Sequence, residues 1–195
     1  MKKHIAILDP FPRTLKLIFS KDKFKALKSR YELIYAPKKY KKNFYDKNIH
    51  KASFIIGQPD LPKDLLLKAK KLKAVINVES NFMNNMDYQY CFKKGIYVIA
   101  TSPVFSKPVA EIALGMTLSL LRNIHTAHSD FIKGKEKYGL ESNHNASLLS
   151  GKKIGLLGFG DLAKSLYPLL LPFSKDINVY DPWIPKINIQ KLGFK

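Results

Sequence analysis

Cysteine is almost absent: Cys91 stands alone in 195 residues. A lone thiol excludes an internal disulfide and suits a reducing compartment. Tyr90 and Phe92 flank it and no CxxC or Cys/His cluster surrounds it, so it reads as a small buried hydrophobe, not a nucleophile. Arginine is nearly as scarce, at Arg13, Arg30 and Arg122 only, and acidic residues number 15 against 34 Lys+Arg, a net charge of +19. Such a charge attracts polyanions. The lysines are dispersed, however, and no arginine-rich or aromatic-rich recognition surface is visible, so neither nucleic acid nor a membrane is expected as a partner. The one dense cluster, "KKYKK" at Lys38 to Lys42, follows Pro37 and is predicted to be a solvated loop. Long apolar runs are missing too: none reaches the ~18 residues of a membrane span. The opening "MKKHIAILDP" has only a short apolar run before Asp9, a poor signal peptide and a good first strand. A cytoplasmic protein is expected.

The chain does have material for a core: 46% of its residues are hydrophobic, which excludes wholesale disorder. Its length allows one large domain or two small ones. Strand-like and helix-like stretches alternate through the first hundred residues. "HIAIL", "YELIYA", "ASFIIG", "KAVINV" and "IYVIA" read as five strands. Between them, Thr14 to Lys28 carries a helical stripe, "PKDLLLKAKKL" is a helix with Pro62 in its first turn, and "MDYQYCFKKG" is a short helix closed by Gly95. Strands separated by helices imply parallel pairing in a doubly wound α/β sheet.

The pattern changes at "TSPVFSKP", Thr101 to Pro108, where two prolines predict a linker or sharp turn. After it, Val109 to Ile124 is the longest apolar helix pattern, with Val109, Ile112, Ala113, Met116, Leu120 and Leu121 on one face. A loop-rich passage is predicted from Lys133 to Ser150. A domain boundary near Thr101 divides the chain into 1–101 and 102–195. There are no internal repeats or low-complexity segments.

The most informative stretch is "KKIGLLGFGDLAKSL". It follows G-x-G-x-x-A through Gly158, Gly160 and Ala163, between a strand-like run, Lys153 to Leu157, and a helix-like run, Leu162 to Leu170. A second strand, "INVY", then ends in Asp181, about twenty residues on, where the dinucleotide fingerprint places an acid. In that pattern Gly158 permits the tight turn, Gly160 lets backbone approach a pyrophosphate, and Ala163 lets helix and strand pack closely. The amides of Asp161 and Leu162 at the helix start face the phosphates, with the Asp161 carboxylate turned away. Asp181 accepts hydrogen bonds from the adenosine ribose and repels a 2′-phosphate, which favours NAD over NADP. The competing reading is a tight strand–helix turn in another α/β fold. The H-x-x-H pair of His125 and His128, near Asp130, has no further ligand cluster and reads as a surface pair, so no metal is expected.

From about Lys71 onwards the chain resembles the D-isomer-specific 2-hydroxyacid dehydrogenases. The resemblance rests on "MDYQYCFKKGIYVIATSPVFSKPVAEIALGMTLSLLR" and "GKKIGLLGFGDLAKSLYPLLLPFSKDINVYDPW". Outside the glycine turn, Val109-Ala110-Glu111 ahead of the long helix is its most diagnostic part. The resemblance implies a flavodoxin-like N-terminal substrate domain (1–101) followed by the first part (β-α-β) of a Rossmann NAD-binding domain (102–195) with a long leading helix. It implies a small 2-hydroxy or 2-oxo acid as substrate. In the family a glycine-containing loop ending in D-N-x-D helps hold the substrate carboxylate. Here the segment is "NVESNFMNNMD", with Ser80 and Phe82 where glycines are common, Asn84 for the first acid, and Asp87 retained. Ser80 and Asn81 are the implied carboxylate contacts. The family's catalytic arginine, acid and histidine lie beyond the second Rossmann strand. The chain closes at Lys195, fourteen residues after Asp181, and neither Arg122 nor the histidines match them, so no catalytic residue is assigned. With only the first two strands of a 3-2-1-4-5-6 sheet, strand 1 is expected to be a doubly buried central strand with one open edge. Weak NAD affinity and little turnover are expected of this chain alone. A homodimer or a completing C-terminal chain is a possible partner; a non-catalytic NAD-responsive protein and an inactive fragment are the alternatives.

Overall fold

The computed structural model describes residues 3–39, 41–191 and 193. The chain divides into two units, Met1–Ser102 and Pro103–Lys195.

In the first unit five strands form one parallel sheet: β1 (Ile5–Asp9), β2 (Glu32–Tyr35), β3 (Ala52–Gly57), β4 (Ala74–Ile76) and β5 (Tyr97–Ile99). Their order is β2-β1-β3-β4-β5, the doubly wound order of flavodoxin-like folds. β1 pairs in parallel with both β2 and β3, running Ile5↔Glu32 to Leu8↔Tyr35 on one side and ending Asp9↔Gly57 on the other. Ile7, Ile55 and Val75, one from each inner strand, are fully buried. They pack with Tyr45, Ile49, Leu65, Leu66 and Cys91 from the covering helices. These helices are α1 (Leu15–Ile18), α2 (Lys21–Arg30), α3 (Lys41–Asn48), a 3₁₀ turn at Ile49–Lys51, α4 (Lys63–Lys68) and α5 (Tyr88–Lys93).

Two local expectations are corrected here. The Thr14 to Lys28 stripe is two helices, not one. Phe19 is extended, and the Ser20 hydroxyl accepts the Lys23 N–H at 3.4 Å, so a new helix starts at the cap. Lys41 and Lys42 lie in α3 and not in a loop. The segment lacks a strong apolar stripe, and it is held by Tyr45, which is 1% exposed.

The second unit begins in α6 (Ser102–Leu121) and continues through α7 (Ile124–Ile132) and α8 (Gly139–Asn143) to β6 (Ile154–Leu157), α9 (Asp161–Leu170), β7 (Ile177–Tyr180) and α10 (Lys186–Lys191). β6 and β7 pair in parallel, Ile154↔Ile177 to Leu157↔Tyr180. Leu149, Leu170 and Ile177 are buried among Leu114, Leu118 and Leu121 of α6 and Ile154, Leu156 and Leu166. A smaller cluster joins Phe159 and Ile189 to Ala163, Tyr167, Val179 and Ile184.

The prolines of "TSPVFSKP" do not make a linker. Pro103 is the second residue of α6, where its missing N–H costs nothing, and Pro108 sits inside the helix. The inward face of α6 is also not the expected one. Leu114, Leu118 and Leu121 pack into the core, whereas Ile112, Met116 and Leu120 are about 60% exposed. The helix is apolar nearly all round, so periodicity alone does not choose a side. By length and composition it is the one helix among the described residues able to cross a membrane, a property that a search for uninterrupted runs misses because Lys107 and Glu111 break the run. It ends where Asn123 turns left-handed (φ 57°) and α7 starts. α8 interrupts the expected Lys133 to Ser150 loop. β6 is not doubly buried: Ile154 and Leu156 are half-buried, Gly155 and Leu157 are exposed, and its pairing partner is β7 alone among the described residues.

Candidate functional site

The glycine turn of the second unit joins β6 to α9. Gly158 has φ 90°, a conformation that favours glycine, and its N–H donates to the Tyr180 carbonyl at 2.7 Å, extending the β6–β7 ladder by one bond. Phe159 turns its side chain inward, 3% exposed, onto Ile189 and Ala163. Gly160 is the N-cap of α9 in extended geometry (φ −77°, ψ −164°) with no side-chain cap, and its carbonyl accepts the Lys164 N–H at 3.0 Å. A Cβ built on Gly158 or Gly160 meets nothing within 4 Å. The Cβ side of both glycines is therefore clear of the described residues, and the first amides of α9 lie at the helix end that starts there. Asp161 and Leu162 open that helix, and Ala163 is its third residue, half-buried against the smaller cluster.

Asp181 follows β7 and closes the turn from the other side. Its Oδ2 accepts the Phe159 N–H at 2.7 Å; its Oδ1 accepts the N–H groups of Trp183 at 2.8 Å and Ile184 at 3.0 Å. The Phe159 amide above all, then the Trp183 amide, hold this carboxyl below the usual range; partial burial opposes them, and the Ile184 amide and the Lys164 charge add to the lowering. Asp181 also lines a cleft of about 290 Å³ with Val179, Tyr180, Ile184 and Lys186.

In the first unit, the segment after β4 is tied down by residues from three other strand ends. Glu79 receives both ends of a fork from Arg13, Nε at 2.8 Å and Nη2 at 3.1 Å. Its N–H donates to Gln58 Oε1 at 3.2 Å, and its carbonyl accepts the Thr101 hydroxyl at 3.1 Å. Gln58 Nε2 reaches the Asn81 carbonyl at 3.5 Å. Ser80 is left half-buried and Asn81 exposed in this bend. Asn85 donates to the Pro59 carbonyl at 2.7 Å, and Asp87 caps α5 by accepting the Tyr90 N–H at 2.8 Å. Arg13, Gln58, Glu79 and Thr101 carried no signal in the sequence, because their contacts span 21 to 66 residues.

Among the described residues, neither Cys91 nor the histidine pair forms a second centre. Cys91 is fully buried, and burial first, then the Asp87 charge, pushes its thiol up. His125 and His128 are exposed on α7, and the described residues contain no group of three or more metal-ligating side chains.

A strand, a positive-φ glycine turn, a helix start, a second parallel strand and an acid at its end define a nucleotide-binding unit of the Rossmann class. Residues 114–195 match the family model of the D-isomer specific 2-hydroxyacid dehydrogenase NAD-binding domain, a domain whose cofactor is NAD. A D-3-phosphoglycerate dehydrogenase of Methanocaldococcus jannaschii is 32% identical over 135 residues, covering 67% of this chain and 24% of the relative. A hydroxypyruvate reductase of Thermotoga maritima is 32% identical over 127 residues, covering 65% of this chain and 40% of the relative. The crystal structure of a phosphoglycerate oxidoreductase from Rhizobium etli superposes with a TM-score of 0.79 at 42% identity, over 99% of this chain and 60% of that one. The chain is thus similar to the D-isomer-specific 2-hydroxyacid dehydrogenases, by the family model over residues 114–195 and by these relatives. It spans 24% to 40% of the length of these curated relatives.

Proposed function

We propose that the second unit seats the adenosine half of NAD and that the first unit faces the substrate in an oxidoreductase acting on the CH–OH group of a 2-hydroxy acid. The observation that carries this reading is the turn itself. Gly158 takes a conformation that favours glycine, and the space beyond Gly158 and Gly160 is open where a phosphate would have to approach. Asp161 and Leu162 offer helix-start amides, Ala163 permits close packing, and Asp181 stands at the ribose end. When bound, NAD supplies the hydride acceptor. In the first unit Ser80 and Asn81 are the proposed contacts of the substrate carboxylate, on a segment whose shape Arg13, Gln58 and Thr101 maintain through Glu79 and Asn81. The substrate assignment rests on the family, whose named relatives include D-3-phosphoglycerate dehydrogenase and hydroxypyruvate reductase. A cytoplasmic setting fits the unpaired Cys91.

Titration calorimetry with NAD is the direct test. Binding by the 195-residue chain that Gly160→Val weakens by about tenfold or more supports the reading. No heat with NAD, or equal affinity in the variant, removes it. Arg122 and the histidines do not match the family's catalytic set, so steady turnover of a 2-oxo acid with NADH by these residues alone is not expected; observing it would refute that assignment.

A further inference from the structure

Asp181 has more to do than a ribose-binding acid requires. An ionised carboxylate offers about four acceptor positions, two on each oxygen. Oδ1 already takes two N–H groups, from Trp183 and Ile184, and Oδ2 takes one, from Phe159. One position on Oδ2 is left. The same bonds commit donors of the turn: the Phe159 N–H is spent on Asp181, and the Gly158 N–H on the Tyr180 carbonyl. A pyrophosphate arriving at this turn is therefore met by amides further along, at the start of α9. The carboxylate joins the glycine turn to the segment after β7, and Phe159 is pinned at its other end by burial against Ile189.

We infer that Asp181 is the positioning residue of the glycine turn, holding it in the shape a dinucleotide needs, and that it meets a single ribose hydroxyl and not both. This inference rests on the nucleotide reading of the second unit. It leads to an outcome opposite to that of a ribose acid acting alone. If Asp181 served only to select against a 2′-phosphate, Asp181→Asn would remove the repulsion and let NADP in. A positioning carboxylate behaves otherwise. Asparagine has one oxygen, so whichever way its amide lies, an –NH₂ group faces at least one backbone N–H that the carboxylate now accepts. The turn is disturbed, and both dinucleotides weaken.

The experiment is an acid titration of the ¹⁵N-labelled chain by NMR, together with calorimetry on Asp181→Asn. In the unmodified chain the amides of Phe159, Trp183 and Ile184 are expected to shift together, with one midpoint below the ordinary carboxylate range. Lys164 on α9 and Lys186, which lines the same cleft, are charged groups near Asp181, and lysine charge does not change in acid; Asp161, which opens α9 beside the turn, does, and its own amide serves as its separate reporter. A Phe159 amide that fails to move with the other two overturns the inference. In Asp181→Asn, affinity for both NAD and NADP is expected to fall by about tenfold or more, the scale of losing a charge-assisted bond. A variant that keeps NAD and gains NADP also overturns it. Should the unmodified chain bind neither nucleotide, the nucleotide reading falls, while the shared titration of three amides still decides whether Asp181 holds the turn.

Discussion

Asp9 lies at the carboxyl end of β1 with 2% of its surface exposed, a position where a charge survives only if it is paired. Lys41 Nζ donates to its Oδ1 at 2.7 Å and the Tyr45 hydroxyl to its Oδ2 at 3.1 Å. The Tyr45 hydroxyl is held firmly protonated, by burial first and by the Asp9 charge second. Tyr45→Phe keeps the ring in the core and removes only the donor. It should cost about 1–3 kcal/mol, the range for a bond to a buried charged group, read as a lower urea midpoint. Asp181 makes a pH prediction. Its folded-state pKa is depressed, so its contribution to stability is present above the unfolded value of about 3.9 and is lost as pH falls through the folded value. The gap in unfolding midpoint between the native chain and Asp181→Asn should be open at neutral pH and close in acid; a gap independent of pH would refute this. These residues also mark how far the sequence could be read. Gly158 was legible because few other residues tolerate its φ of 90°. The bonds of Asp181 to Phe159, Trp183 and Ile184 were not legible, because a fingerprint names the acid without saying which donors reach it.

Elements were legible where local chemistry and tertiary packing agree. The five strands of the first unit are short apolar runs; β1, β3 and β4 are largely buried, as such runs report, while the edge strands β2 and β5 stay half-buried or exposed. α3 was missed because its lysines and asparagines look like a loop, and what holds it is Tyr45 packed under a distant strand end. α6 was placed correctly as a long helix but started too late, since prolines read as breaks. Pro103 is harmless in the first turn. Pro108 is not: it lacks the N–H that would reach the Val104 carbonyl, an interior defect of about 3 kcal/mol in an isolated helix. Pro108→Ala should therefore stabilise the second unit. The gain should be nearer ~1–2 kcal/mol, because alanine also gives the unfolded chain back some freedom. Thermal unfolding followed by circular dichroism reads the sign. A lower midpoint would mean that the proline ring fills space the helix needs.

At the scale of the whole molecule, composition announced a basic protein, and the structure shows what little neutralises it. The chain carries 34 basic against 15 acidic side chains. Among the described residues, ion pairs include Arg13–Glu79, Lys68–Asp46, Lys137–Glu141 and the part-buried Lys41–Asp9. Exposed pairs of this kind contribute about 0.2–1 kcal/mol each and are weakened by salt. The excess positive charge acts the other way, because self-repulsion penalises the compact state and salt relieves it. With a net +19 the repulsion is expected to be the larger sum. Adding sodium chloride from about 10 mM to 150 mM, which shortens the screening length from about 30 Å to about 8 Å, should raise the unfolding temperature. The same salt should slow the arrival of NAD, whose phosphates are drawn to a positive surface, without changing the shape of the turn proposed to seat them. An unfolding temperature that falls with salt would show that the few ion pairs outweigh the excess. In that case the lysines sit far enough apart for water alone to screen them.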